Sequence, residues 1–363
     1  MTAMTRREYL LLLGAGAASA SRPAVIQNDL FVSGELGYHT YRIPALLPTK
    51  RGTLLAFCEG RRGGRGDSGD IDIVLRRSTD SGRTWSEPVT ILDMGPDCLG
   101  NPCPVVDRKT GTIHLLLTSN PGHVVEKQII DQSVKETRQV WVSTSTDDGL
   151  TWSKPAEITA SVKAPDWTWY ATGPGVGIQL RSGRMVIPCD HAQAGTRAFW
   201  SHCIYSDDQG RTWKRGERLG EKVNECQVVE LRDGSLMLNM RAYHGNNRRA
   251  VAISRDGGVT WGEITHDQAL VEPVCQASLI REGNVLLFSN PASTRRVNLT
   301  VRASRDDGKS WPRSLVLEAG PSAYSCLAPV ERNRFACLYE RGVKSPYERI
   351  TLALFHIGDL NAA

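Results

Sequence analysis

Ten residues, Arg61-Arg62-Gly63-Gly64-Arg65-Gly66-Asp67-Ser68-Gly69-Asp70, hold three guanidiniums, two carboxylates and four glycines. Guanidiniums meet carboxylate oxygens with planar, paired donors and do not deprotonate, so they suit recognition of an anion. A glycine-rich loop suits an acid that must close over a substrate and deliver a proton. Asp67, Asp70 and Asp72 are the candidates there. Asp72 lies in the alternating run Ile71-Asp72-Ile73-Val74-Leu75, so a structural role is expected for it. Other chemistries are poorly served. The nine cysteines sit mostly in apolar runs such as Ala56-Phe57-Cys58 and Phe335-Ala336-Cys337-Leu338. They match no zinc spacing, none has an evident histidine partner, and their odd number leaves at least one unpaired. They are expected to be small buried hydrophobes. No metal site and no cofactor is implied. The net charge of +5 favours anionic ligands, but no basic run interleaved with aromatics points to nucleic acid.

The elements that must position such residues announce themselves by repetition. The pattern S-x-D-x-G-x-(T or S)-W occurs five times, at Ser78–Trp85, Ser145–Trp152, Ser206–Trp213, Ser254–Trp261 and Ser304–Trp311. A motif recurring at such intervals marks a propeller or solenoid. Each copy reads as a hairpin turn: Asp and Gly supply the tight reversal, Ser and Asp satisfy its amides, and Trp folds back over it. Between copies lie short strand signals with Gly turns, as in Arg181-Ser182-Gly183-Arg184-Met185-Val186-Ile187, and long helical periodicity is absent. The expected fold is all-β, a six-bladed β-propeller of four-stranded antiparallel blades: five boxed units and one degenerate unit. No linker or composition shift marks a second domain within 21–363.

The N-terminal residues differ. Arg6-Arg7 precedes an apolar stretch from Leu11 to Ala20 that ends in small residues. This pattern describes an export signal over 1–20, with adjacent arginines pointing to the twin-arginine route. The stretch is too short to span a bilayer. The mature protein is expected to be exported, periplasmic or secreted, without a membrane span, and monomeric.

Tyr41-Arg42-Ile43-Pro44, followed by the five boxes, resembles the bacterial and animal sialidases, whose chains carry an R-I-P segment ahead of repeated Asp boxes. The resemblance runs from about Tyr38 to Phe355. Asn101-Pro102-Cys103-Pro104, Glu225-Cys226-Gln227-Val228 and Ala323-Tyr324-Ser325 look closest to the animal cytosolic type. The resemblance implies an exo-α-sialidase that removes terminal sialic acid from glycoproteins, glycolipids such as gangliosides, or oligosaccharides. It implies Arg42, Arg241 and Arg296 as a clamp on the sugar carboxylate; Arg302 shares the strand parity of Arg296 and could take its place. It implies Tyr324 as nucleophile, Glu225 as its base and Asp67 as acid/base. A neutral phenol avoids the repulsion that a carboxylate nucleophile would meet at a carbon already bearing a carboxylate, and sialidases are a recognised exception to the two-carboxylate scheme. Arg61 matches a further arginine near the sugar's C4 substituent. Glu59 and Glu340 match carboxylates that orient the clamp. Gln276, Asn101 and Asp190 are expected to reach the same pocket.

One departure stands out. The animal enzymes place aromatics after a Val-Val-Pro strand, where this chain reads Val186-Ile187-Pro188-Cys189-Asp190-His191, and their Met before Asn-Pro-Cys-Pro is Gly100 here. A smaller, more polar pocket is expected, which opens a deaminated nonulosonic acid as substrate. The same arginines would also serve a non-catalytic sialoglycan-binding propeller, and the full residue set a trans-sialidase.

Overall fold

Runs such as Ala45-Leu46-Leu47 and Leu54-Leu55-Ala56-Phe57 are apolar on both faces, and both are buried in strands. The computed structural model describes residues 25–362; the export signal expected over 1–20 lies outside the described residues. The fold is all-β. The strands pair into two eight-stranded, one five-stranded and one four-stranded sheet. One eight-stranded sheet divides into two antiparallel sets of four; the other holds two such sets that share a strand, with the short strand Asn361–Ala362 paired beside them. The first set is Thr40–Pro48, Leu54–Arg61, Ile71–Ser78 and Val89–Leu92; it joins the second, which begins with Cys98–Val106, through the single parallel pair Ile71↔Cys98. The third and fourth begin with Trp167–Thr172 and Val223–Glu230. The fifth and sixth share the 19-residue strand Arg313–Glu331: its first half pairs with Val297–Ser304, its second with Arg334–Arg341. The outer strand of the sixth set is Val25–Val32, paired with Arg349–His356. The first strand of the first set packs against Cys98–Val106 on one side and Arg313–Glu331 on the other, so the contacts run from set to set and back to the start.

Ser78, Ser145, Ser206, Ser254 and Ser304 each end the third strand of their set. The sixth set, whose third strand is Arg349–His356, carries no box. Inside a box the aspartate is a local clasp. Asp147 Oδ1 accepts from the amides of Leu150 (3.1 Å) and Thr151 (2.9 Å), while the Ser145 hydroxyl accepts from Gly149 N and donates to Asp147. The turn needs two residues at positive φ, Asp148 (69°) and Gly149 (79°), and a Cβ on Gly149 would lie 2.8 Å from Leu55 of the preceding set. Only the Trp85 indole donates back into its own turn, to Gly82 O. Trp152 packs edge-on to Phe57, and Trp213 edge-on to His114, both in the preceding set. The expected folding-back is seen at Trp85, and the Trp152 and Trp213 indoles add contacts across the joint between neighbouring sets.

Candidate active site

Five of the six sets break register in their first strand: at Arg42/Ala45, Gly100/Cys103, Trp167/Tyr170, Val223/Cys226 and Ser322/Ser325. A bulge inserts an unpaired residue and re-aims its side chain. Arg42, Asn101, Trp169, Glu225 and Tyr324 all stand in or beside these breaks, and all line one cavity of about 490 Å³. Backbone strain gathers here too. Ile43 has φ of 60° and Asn101 of 55°; for a β-branched residue that is a true outlier.

Glu340 explains how Ile43 is held. Its buried carboxylate accepts from Arg42 Nε (3.0 Å), Arg42 Nη2 (3.3 Å), the Ile43 amide (3.0 Å) and the Tyr324 amide (3.2 Å). One carboxylate thus fastens the R-I-P segment to the strand of Tyr324. It lies behind the cavity wall and does not line it.

The Tyr324 hydroxyl donates to Glu225 Oε1 at 2.6 Å. Arg241 Nη1 donates to Glu225 Oε2 (2.8 Å) and to the Tyr324 oxygen (3.3 Å). The guanidiniums of Arg42 and Arg296 lie 4.9 and 5.6 Å from the centre of the same ring. Burial and the Glu225 charge hold the phenol protonated, well above its usual range, against the opposing pull of Arg241 and Arg42. Arg296 donates to the Tyr347 hydroxyl at 2.6 Å and lines the cavity; Arg302 lies mid-strand, reaching only Asn290 Oδ1 at 3.4 Å, and lies outside it.

Asp67 stands at the cavity mouth with its side chain 57% exposed, 2.8 Å from Arg61 and 3.9 Å from Arg42. Burial pushes its carboxyl up, but the two guanidiniums outweigh it and hold the carboxyl below its usual value. Buried Arg61 also donates to Glu59 Oε2 and, from Nη1, to the carbonyls of Arg65 (2.6 Å) and Gly66 (2.9 Å), fixing the glycine-rich loop. Asp70 faces Arg62 instead, and Asp72 binds the Tyr38 hydroxyl (2.6 Å) and Arg62 (2.7 Å), a structural clasp.

Asn101, Glu59 and Asp190 line the cavity. Asp190 is buried; one oxygen accepts from Asn224 (2.9 Å), the other has no partner, and burial raises its carboxyl well above the usual range. Gln276 is corrected: it lies beneath the wall, its amide exchanging bonds with Ser325 N and O at 3.0 Å each, because the buried backbone there needs partners. Aromatic side chains also reach the cavity, from positions other than those after Pro188. Trp169, on the strand paired beside the one that holds Val186-Ile187-Pro188, lines the cavity together with Tyr243 and Tyr347 from other sets. Arg138 and Glu126 line it too and were not legible as isolated residues; the strand break at Trp167/Tyr170 has no sequence pattern that would have found Trp169.

All nine cysteines are buried and unbridged; Cys98 lines the cavity, but burial pushes its thiol up to about 11. Among the described residues no His/Cys/Asp/Glu cluster could hold a metal, and no helix is long and apolar enough to cross a membrane.

Comparison with known proteins decides the family. The model for the BNR repeat-like domain matches residues 52–337. Sialidase-3 of Mus musculus is 33% identical over 92% of this chain and 95% of its own length. The chain belongs to the sialidase family. Within that family, a sialidase of Micromonospora viridifaciens is 38% identical over 94% of this chain. The chain spans 56% of that protein and 62% of a second bacterial sialidase, from Bacteroides fragilis. The solved Hadza microbial sialidase Hz136 superposes with a TM-score of 0.86 at 35% identity, over 93% of this chain and 69% of that one. An intramolecular trans-sialidase from Ruminococcus gnavus shares the fold at 19% identity and a TM-score of 0.80, over 92% and 98% of the two chains.

Proposed function

We propose that this protein is an exo-α-sialidase, a glycoside hydrolase that releases terminal sialic acid from glycans with retention of configuration, and that its six sets of strands are the blades of a propeller with this cavity on its axis. The observation that carries the reading is the 2.6 Å contact between Tyr324 and Glu225 inside a ring of guanidiniums. A phenol hydrogen-bonded to a carboxylate is an activated neutral nucleophile, and the arginines around it fit a carboxylate on the reacting carbon. A binding protein would have no use for that pair.

The reaction runs in two displacements. Arg42, Arg241 and Arg296 hold the sugar carboxylate. Asp67 protonates the leaving glycosidic oxygen as the Tyr324 oxygen bonds to the anomeric carbon and its proton passes to Glu225. In the second step Asp67 takes a proton from water, the water oxygen displaces Tyr324, and Glu225 returns the proton to the phenol. Two inversions give net retention. Tyr324 stays protonated until attack because burial and Glu225 oppose a free phenolate. Asp67 presents the converse demand: it must carry a proton, while Arg61 and Arg42 hold it ionised in the free site. A substrate carboxylate on Arg42 offsets that field and raises the Asp67 carboxyl when the proton is needed.

The test is hydrolysis of an aryl sialoside with the product anomer followed by NMR. The α-anomer released first supports the reading; a β-anomer released first, or full turnover by Tyr324→Phe, rejects it. Export of the mature chain and action as a monomer remain parts of the proposal, tested by fractionation and by sedimentation.

A further inference from the structure

One buried guanidinium in the cavity wall is used by none of these steps. Arg138 is 2% exposed and lines the cavity, yet among the described residues it has no ion-pair partner. Its Nε has no hydrogen-bond partner, and its Nη2 reaches only the Cys98 sulfur at 3.9 Å. Three other cavity arginines are paired: Arg42 with Glu340, Arg61 with Glu59, Arg241 with Glu225. A buried cation without an acceptor is unfavourable unless something else supplies one. The cavity arginine that it resembles is Arg296, which also lacks a carboxylate partner and faces the space where an anion would sit.

The surroundings are built to present this group. The Arg138 guanidinium stacks 4.0 Å from the centre of the Trp169 ring. The buried Lys163 amine donates to the carbonyls of both Arg138 and Thr168 at 2.7 Å, tying the two segments that carry the stacked pair. A Cβ on residue 100 would lie 3.0 Å from Arg138 Nη2, so Gly100 leaves the room that the guanidinium occupies.

We propose that Arg138 is a specificity-determining residue, donating hydrogen bonds to an acceptor oxygen on a substituent that the bound sugar lays across the Trp169 face. The oxygen belongs to the acylated amine or to the polyhydroxy tail of the sugar. The proposal rests on the sialidase reading and adds to it a binding contact outside the carboxylate clamp and the nucleophile pair.

The test compares kcat/KM for three aryl glycosides: the N-acetylated sugar, its deaminated hydroxyl analogue, and the N-acetylated sugar with its tail shortened by periodate. Arg138→Met should lower kcat/KM for the intact substrate about tenfold or more, mainly through KM, because a charge-assisted contact is lost. It should leave the analogue lacking the recognised oxygen within about twofold of the parent. Collapse of the gap to the deaminated analogue places the contact on the acyl group; collapse of the gap to the shortened sugar places it on the tail. Arg138→Lys should restore part of the loss. Arg138→Met should melt no lower than the parent, since it removes an unpaired buried charge. A lower melting temperature with all three ratios unchanged makes Arg138 a structural prop and overturns the proposal. A parent protein that hydrolyses none of the three rejects the sialidase reading itself, and this contact with it.

Discussion

Aspartates do opposite work at the rim of the molecule and in its cavity. In the boxes Asp80, Asp147, Asp208, Asp256 and Asp306 are each clasped by hydroxyls and amides of their own turn, which hold all five carboxyls down to about 2. In the cavity Asp67 is held by guanidiniums from two other positions, and Asp190 is driven the other way by burial. Five identical local answers make the scaffold; a set of unlike, non-local answers makes the chemistry. Repetition fixes where strands lie, and departures from it, the register breaks, fix where side chains point.

The sharpest way to break this contrast is at the proposed nucleophile. Tyr324→Phe should lower turnover of an aryl sialoside by roughly 10³-fold while leaving the melting curve nearly unchanged. Next comes the clasp behind the wall. Glu340→Gln leaves Arg42 buried without its counter-charge, and chemical denaturation should show a loss of about 3–5 kcal/mol with activity falling alongside. A box aspartate should behave otherwise: Asp147→Asn should lower Tm by a few degrees and leave kcat within about twofold, because its bonds stay inside one turn. Any large loss of turnover there would erase the distinction between rim and cavity.

Two pH measurements sharpen it further. Asp67 is held ionised in the free site and, as the proposed acid, would have to be protonated to act, so kcat/KM should fall as pH rises from the acid side. The alkaline limb of kcat should lie at higher pH than that of kcat/KM, since bound substrate neutralises Arg42. Coincident limbs would mean that substrate does not discharge the Asp67 field. The smallest effect concerns stability. Burial holds the His202 imidazole down to about 3, against 6.5 unperturbed, in a chain with His191 (3.1 Å) and the Tyr170 hydroxyl (2.9 Å). The unfolded chain therefore binds the extra proton, and stability should decline as pH falls from about 6.5 towards 3. His202→Gln should flatten that slope of Tm against pH.

What could be read from the sequence was what is local. A box is complete within eight residues, so its turn, its positive φ and its place at a strand end follow from the residues themselves. Arg296 and Arg302 have the same parity, and only the structure separates them: one precedes its strand at the cavity, the other lies in mid-strand facing Asn290. Gln276 has a polar end that the sequence could not distinguish from a ligand-facing one, and the buried backbone of Ser325 claimed it. Trp169, Tyr243 and Tyr347 restore aromatic surface that the strand at Pro188 lacks, but they come from three separate sets, and no spacing links them.

The pairing of Val25–Val32 with Arg349–His356 has a cost in assembly. The strand made earliest among the described residues must wait for almost the last before either is satisfied, so the unit holding Tyr324 and Glu340 is completed only when the whole chain is available. Such long-range closure slows folding. It also makes turnover a stringent reporter of intact chains, since a nick or deletion in that outer strand removes support from Tyr324 though it lies nearly 300 residues away in sequence.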